Sequence, residues 1–267
     1  MPRIISVINQ KGGVGKTTTA INLAAGLAMK NWLNVLLIDL DPQGNASTGV
    51  GIDPSQRDKS IYDLLIRKNS FSESIKKTKI NNLKIITANP ELSGLETELA
   101  NDSQKAFLLK NLIADSLQEI EKENFSYIII DCPPSLSLLT IMSLVASNTL
   151  VVPLQAEFFA LEGLSQLVKT IERIKINLNK DLDIHGILLT MFDKRNKLCG
   201  EVEKEARNFF GQKVYNSNIP RNVRISEAPS FGLPVILYDK YCAGALAYNE
   251  FVEEFITRET SKEKKVA

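Results

Sequence analysis

The run Lys11-Gly12-Gly13-Val14-Gly15-Lys16-Thr17-Thr18 lies between an apolar stretch, Ile4–Ile8, and an amphipathic one, Lys16–Lys30. Glycines at 12, 13 and 15 suit neither a regular strand nor a helix, but they permit positive φ and close backbone approach. A strand that ends in such a loop and restarts as a helix opens a βαβ unit. Its amide N–H groups can turn inward around an anion at the positive end of the helix. The loop therefore commits the chain to an α/β fold and directs it to a polyphosphate. The general pattern is G-x-x-x-x-G-K-[ST], and here Gln10 stands where the first glycine usually falls. The spacing places Lys16 to reach the β- and γ-phosphates, the Thr17 hydroxyl to ligate Mg²⁺ and Thr18 to bond the α-phosphate of ATP.

The remaining pattern agrees. Continuous β-branched and leucine runs predict strands at Ile4–Ile8, Val35–Asp39, Leu83–Thr87, Tyr127–Asp131, Leu150–Pro153, Ile184–Met191 and Lys213–Tyr215. Helical periodicity predicts Lys16–Lys30, Ser103–Glu123, Ser137–Ser147, Leu161–Asn177, Cys199–Phe210 and Ala243–Arg258. This alternation predicts a doubly wound, mostly parallel sheet with helices on both faces. With no repeat and no long linker, residues 1–258 read as a single domain, followed by a frayed polar tail over 259–267. Residues 42–102 are the least regular stretch and read as loops and short helices beside the nucleotide.

Bulk properties exclude several classes. Hydrophobic residues make up 44% and charged residues 24% of 267, values of an ordinary globular protein, and the net charge is +1. A nucleic-acid contact must therefore come from a local basic patch. Cys132, Cys199 and Cys242 form no CxxC pair, so neither zinc nor thiol redox chemistry is indicated. The single histidine, His185, lies in an apolar run and reads as a strand residue. No signal peptide and no run near the ~20 apolar residues of a membrane span is present, so a cytoplasmic protein is expected.

Carboxylates complete the site. Asp131 ends the run Tyr127–Ile130, where a Walker B aspartate would hold Mg²⁺ through a water, and the rigid Asp131-Cys132-Pro133-Pro134 turn follows it. Asp39 and Asp41 end the second strand in Asp39-Leu40-Asp41-Pro42-Gln43-Gly44-Asn45, placed for water activation or metal contact, although either alone also reads as a loop-initiating turn.

These motifs resemble the ParA/Soj partition family of deviant Walker-A P-loop ATPases. The resemblance spans nearly the whole chain and includes Leu188–Asp193 and the run Ile219-Pro220-Arg221-Asn222-Val223-Arg224-Ile225-Ser226-Glu227-Ala228-Pro229. It implies that Lys11 reaches across a homodimer to the partner's ATP and that Gly12 lies where the subunits meet. It also implies that Asp41 positions the attacking water and that Pro220 and Asn222 line the adenine and ribose. The ATP-bound dimer would bind DNA without sequence preference on the nucleoid. A ParB-type partner would stimulate hydrolysis and release it.

Between Lys194 and Arg224, eight lysines and arginines face Glu201, Glu203 and Glu205. Arg195 and Arg224 match positions that carry DNA binding in the family, and Lys240 and Arg221 are further candidates. Arg221 stands between Pro220 and Asn222, so a role on the nucleotide side is equally open. Any single lysine here also reads as part of a solvated face.

The chain starts on its first strand, so a sequence-specific operator-binding extension is not expected. A MinD-type membrane switch is the nearest rival, yet Thr257–Ala267 has no bulky apolar face for lipid. A nitrogenase-iron-protein-like reductase would need paired cysteines. A metabolic P-loop kinase would need an acceptor pocket that no motif marks.

Overall fold

A computed structural model describes residues 1–157 and 159–266, with the backbone alone over 262–266. The strands are β1 (Arg3–Val7), β2 (Asn34–Asp39), β3 (Ile75–Lys77), β4 (Leu83–Ile86), β5 (Phe125–Asp131), β6 (Thr149–Gln155), β7 (Asp183–Phe192) and β8 (Val214–Pro220). They form one sheet in the order β3-β4-β2-β5-β1-β6-β7-β8. All pairings are parallel except β3 with β4. Every strand expected from the sequence is present. The unforeseen β3 is a three-residue antiparallel edge, too short to show a period.

The helices are α1 (Lys16–Ala28), α2 (Asn45–Gly49), α3 (Ile61–Leu65), α4 (Phe71–Ser74), α5 (Leu95–Glu98), α6 (Leu108–Asp115), α7 (Leu117–Glu123), α8 (Leu138–Ala146), α9 (Ala160–Asn177), α10 (Lys197–Phe210), α11 (Val223–Glu227), α12 (Val235–Tyr238) and α13 (Ala243–Val266). Alternate strand residues face opposite sides. Leu36, Ile38, Ile128 and Ile130 pack with α6, α8, α9 and α10 on one face. Val35, Leu37, Ile5 and Val7 pack with α1, α12 and α13 on the other. On this second face α1 and α13 approach closely. A Cβ added at Gly26 would lie 2.6 Å from Val252 Cγ2, and Thr19 Oγ1 is 3.2 Å from the buried Tyr248 hydroxyl.

Two expectations are corrected. The helix expected over Ser103–Glu123 is broken at Ser116, whose φ −95°, ψ 12° ends α6 and begins α7. Of the tail read over 259–267, residues 259–266 continue α13, and residue 267 lies outside the described residues. Glu259 is buried, and Arg3 on β1 and His185 on β7 both pair with it, at 3.1 and 3.2 Å. Its polarity misled because a charge with buried partners belongs to the interior. His185 is a buried strand residue, as its apolar setting implied, stacked on Phe255 with ring centroids 4.4 Å apart. Among the described residues, no helix is long and apolar enough to cross a membrane.

Candidate nucleotide site

Sheet register brings the carboxylates together. Val7 at the end of β1 is level with Asp131 at the end of β5, and Asp131 is level with Asp39 at the end of β2. The loop leaving β1 therefore passes directly over both. Within it Gly13 and Gly15 hold φ 74° and 87°, a region that costs a residue with a Cβ about 1–2 kcal/mol. Gly15 is also the N-cap of α1, so the first amides of that helix have no side-chain cap and face the loop interior. The Thr190 hydroxyl on β7 donates to Val14 O at 2.9 Å and ties the loop to the sheet.

Lys16 Nζ donates to Lys11 O at 2.8 Å. Its burial lowers its pKa, while the Asp131, Cys132 and Asp41 charges hold it up. Asp131 is fully buried, and neither carboxylate oxygen has a hydrogen-bond partner of good geometry among the described residues. Burial raises its pKa well above the usual carboxylate range and Asp39 adds to the rise; the Thr17 hydroxyl and Lys16 offset part of it. A buried, unpaired carboxylate beside a threonine hydroxyl and a lysine fits a hard cation and its waters.

Asp39 is held differently. Its Oδ2 accepts from Ser47 N (2.8 Å) and Ser47 Oγ (2.7 Å), and its Oδ1 accepts from Asp41 N (3.3 Å). Burial pushes its pKa to about 6 against these bonds. Both oxygens serve the following loop, so Asp131 is the freer of the two to take a metal. Asp41 is nearly buried, and its Oδ1 accepts from Gln43 N at 3.0 Å.

A cleft of about 630 Å³ opens from the loop. Its walls include Gly13, Gly15, Lys16, Thr17, Thr18 and Asp41 at one end and Pro220, Arg221, Asn222 and Val223 at the other. Two sequence runs some 200 positions apart thus share one volume, large enough for a nucleotide. Pro134, from the Asp131–Pro134 turn read as a γ-phosphate sensor, also lines it, as do Gln43, Asn45, Thr190 and Met191, which had no separate role in the sequence reading. The runs Asp39–Asn45 and Leu188–Asp193 contained most of them, and a polar threonine inside an apolar strand was the available signal for Thr190. Asn222 caps α11, accepting from Arg224 N at 2.9 Å.

Lys11 and Gly12 are exposed. The Lys11 ammonium pairs with Glu157 of the same chain, just past β6. A Cβ at Gly12 would meet only Pro134 Cβ, at 3.9 Å, so the isolated chain does not require glycine for space there.

The basic candidates fall into two places. Arg195 and Arg221, with Lys194, line a groove of about 550 Å³ on the other side of Pro220. Arg221 also lines the nucleotide cleft, so both of its readings survive. Arg224 and Lys240 do not line that groove. Arg195 is clasped by Asp193 at 3.0 Å, which drives the Asp193 carboxyl down to about 2. Arg224 pairs with Glu227 at 2.8 Å and Asp239 at 3.4 Å, and the Lys240 ammonium lies 5.0 Å from the centre of the Tyr241 ring.

Comparison with known proteins agrees with this geometry. The family profile described as AAA domain matches residues 2–184. The chain is 49% identical over 266 residues to the chromosome partitioning protein ParA of Caulobacter vibrioides, covering 99% of this chain and 98% of that one. It is 48% identical over 254 residues to the sporulation initiation inhibitor protein Soj of Bacillus subtilis, covering 95% and 98%. The chain belongs to the ParA/Soj family of partitioning ATPases. Among solved structures, the ParA/Soj chain is similar to the cobyrinic acid a,c-diamide synthase of Mycobacterium smegmatis with bound ATP analog and magnesium. That likeness has a TM-score of 0.82 at 31% identity, covering 98% and 97% of the two chains. Relatives of different chemistry share the fold, so the partition assignment rests on the ParA and Soj sequences and not on the fold.

Proposed function

We propose that this chain uses Mg²⁺-ATP as a timed switch for DNA partition. The ATP-bound form is a homodimer that binds DNA without sequence preference, and hydrolysis stimulated by a ParB-type partner releases it. The observation that carries this reading is the single cleft joining the Lys11–Thr18 loop, Asp41 and the Pro220–Asn222 corner, together with near-full-length similarity to ParA and Soj.

In this reading the loop amides and the N-terminus of α1 hold the phosphates, and Lys16 neutralises the β- and γ-phosphate charge. Thr17 and, through a water, Asp131 hold the metal; a bound Mg²⁺ supplies further charge neutralisation at the transferring phosphoryl group. Asp39 holds the loop that carries Asp41. Asp41, with one oxygen fixed by Gln43 N, orients the attacking water with the other. Pro220 and Asn222 bound the base and ribose.

Lys11 leaves Glu157 to reach the partner's nucleotide, and the close approach at Gly12 leaves no room for a side chain. ATP that touches two subunits favours the dimer, and loss of the γ-phosphate releases it. A dimer also doubles the basic patches, so DNA affinity follows the nucleotide state by avidity. Arg195, Arg221, Arg224 and Lys240 supply phosphate contacts, which give steep salt dependence and little sequence preference.

DNA retention should be compared with ATP, with ADP and without nucleotide, at two salt concentrations. Retention is expected only with ATP and should fall with salt. Equal retention in all three states would remove the switch.

A further inference from the structure

We propose that Arg57 is a positioning residue for ATP hydrolysis, acting on the loop that carries Asp41. The inference rests on the reading of Asp41 as the residue that orients the attacking water.

The loop is a tight turn. Gly44 N donates to Asp41 O at 2.9 Å, and Thr48 N donates to Gly44 O at 3.1 Å as α2 begins. Gly44 holds φ 65°, so the turn enters α2 through a conformation open mainly to glycine. Wherever Gly44 sits, Asp41 is fixed three residues upstream.

Inside the turn the Thr48 hydroxyl donates to Gly44 O at 3.2 Å, and side chains from two flanking segments add to this. Asp39, from the end of β2, takes Ser47 N and Ser47 Oγ. Arg57, from the segment that returns after α2, takes the neighbouring residue: Nη2 donates to Thr48 Oγ1 at 2.7 Å and to Ile52 O at 2.9 Å. The guanidinium also packs against the backbone of the turn. A Cβ at residue 44 would lie 2.1 Å from Arg57 Nη1 and 3.2 Å from Cζ, with Ala88 O 3.4 Å away on another side. The glycine and the arginine therefore fit each other as one surface.

A direct ion pair does not account for the placement. Arg57 is only 7% exposed, its Nε has no hydrogen-bond partner among the described residues, and no carboxylate there lies within ion-pair distance; burial lowers its pKa, while the more distant Asp39 and Asp53 charges hold it up. Burying a charge without an ion-pair partner is costly. The positions it satisfies instead are the hydroxyl of α2, the carbonyl of the return segment and the flat space beneath Gly44. These contacts hold the Asp41 turn at Gly44 and Thr48, next to the Ser47 that Asp39 holds. A lysine keeps the charge but loses the planar fork that touches all three.

The test is a double-mutant cycle between Arg57→Lys and Asp41→Ala, read by phosphate release at saturating ATP, by affinity for a fluorescent ATP analogue and by thermal melting. Arg57→Lys should slow release about tenfold with nucleotide affinity within about twofold, because the phosphate loop lies on another element. The double mutant should release phosphate no more slowly than Asp41→Ala alone, since both changes remove one function. Thr48→Val, at an exposed position, removes the hydroxyl that Arg57 holds, together with its bond to Gly44 O, and should show the same pattern even if Arg57→Lys does not fold; Thr48→Ser, which keeps the hydroxyl, should restore release. Normal release in Arg57→Lys or Thr48→Val overturns the inference, as does a parallel loss of nucleotide affinity. Slowing that multiplies in the double mutant overturns it while leaving Asp41 in the mechanism. Unchanged release in Asp41→Ala removes the reading of Asp41 itself.

Discussion

Replacing Asp131 with asparagine should stabilise the ligand-free protein while it disables the site. Asp131 is fully buried without a hydrogen-bond partner of good geometry, and Asp39 stands level with it on the next strand. The scale comes from Asp39, pushed from 3.8 to about 6 although it accepts three hydrogen bonds. At about 1.4 kcal/mol per pH unit, ionising Asp39 in the fold costs on the order of 3 kcal/mol. Asp131 shifts in the same direction: burial and the Asp39 charge raise its pKa well above the usual carboxylate range, and the Thr17 hydroxyl offsets only part of this. A buried amide keeps about 1 kcal/mol of desolvation cost, which leaves a net gain for Asp131→Asn of roughly 2 kcal/mol. For a chain of this size that is a rise in melting temperature of about 4–8 °C.

The pH dependence has a defined sign. Both carboxyls hold protons in the fold at pH values where the unfolded chain has released them. Ligand-free wild type therefore loses stability as pH rises from about 4 through about 6, and Asp131 extends the loss above that. Asp131→Asn should flatten this slope. Thermal melts in EDTA without nucleotide, at pH 5 and pH 8, measure both effects. The same melts with Mg²⁺ and ADP should raise wild type and leave the variant unmoved. A variant that melts at or below wild type at pH 8 in EDTA would show that Asp131 is satisfied in solution, and the argument for a cation there would fail.

Other substitutions test separate parts of the reading. Lys16→Ala should abolish productive ATP binding, a loss of at least about 100-fold in turnover, measured by phosphate release; near-normal turnover would contradict the loop assignment. Gly12→Val should fold normally, because only Pro134 Cβ stands near, at 3.9 Å, yet fail to dimerise with ATP by light scattering. Arg224→Glu should lose DNA retention while the ATP-dependent dimer persists, and unchanged retention would remove Arg224 from the DNA surface.

Local chemistry made the phosphate end legible from sequence. Three glycines, a lysine and two threonines at fixed spacing admit few structures, and the strand that precedes them fixes their place at the C-terminal end of an interior strand. The continuous β-branched runs gave the parallel strands for the same reason: burial on both faces leaves no alternation to misread. What escaped depended on contacts between distant residues. The short helices between Val223 and Tyr238 lack enough turns to show a period, and those between Phe71 and Glu98 were expected only as a region, without bounds. Glu259 looked like tail because its partners, Arg3 and His185, lie far away in sequence. Arg57 carried no motif at all; only the fold sets it beneath Gly44.

The close fit of α13 against α1 gives the last long helix an unexpected duty. Gly26 leaves space for Val252, and Tyr248 meets Thr19, the residue directly after Lys16-Thr17-Thr18. That helix is thus a buttress for the start of α1 and, through Tyr248, part of the cleft wall. Any cut that removes it from Tyr248 onward would let the front of α1 drift, and the enzyme would falter at an end of the molecule the cut never touched.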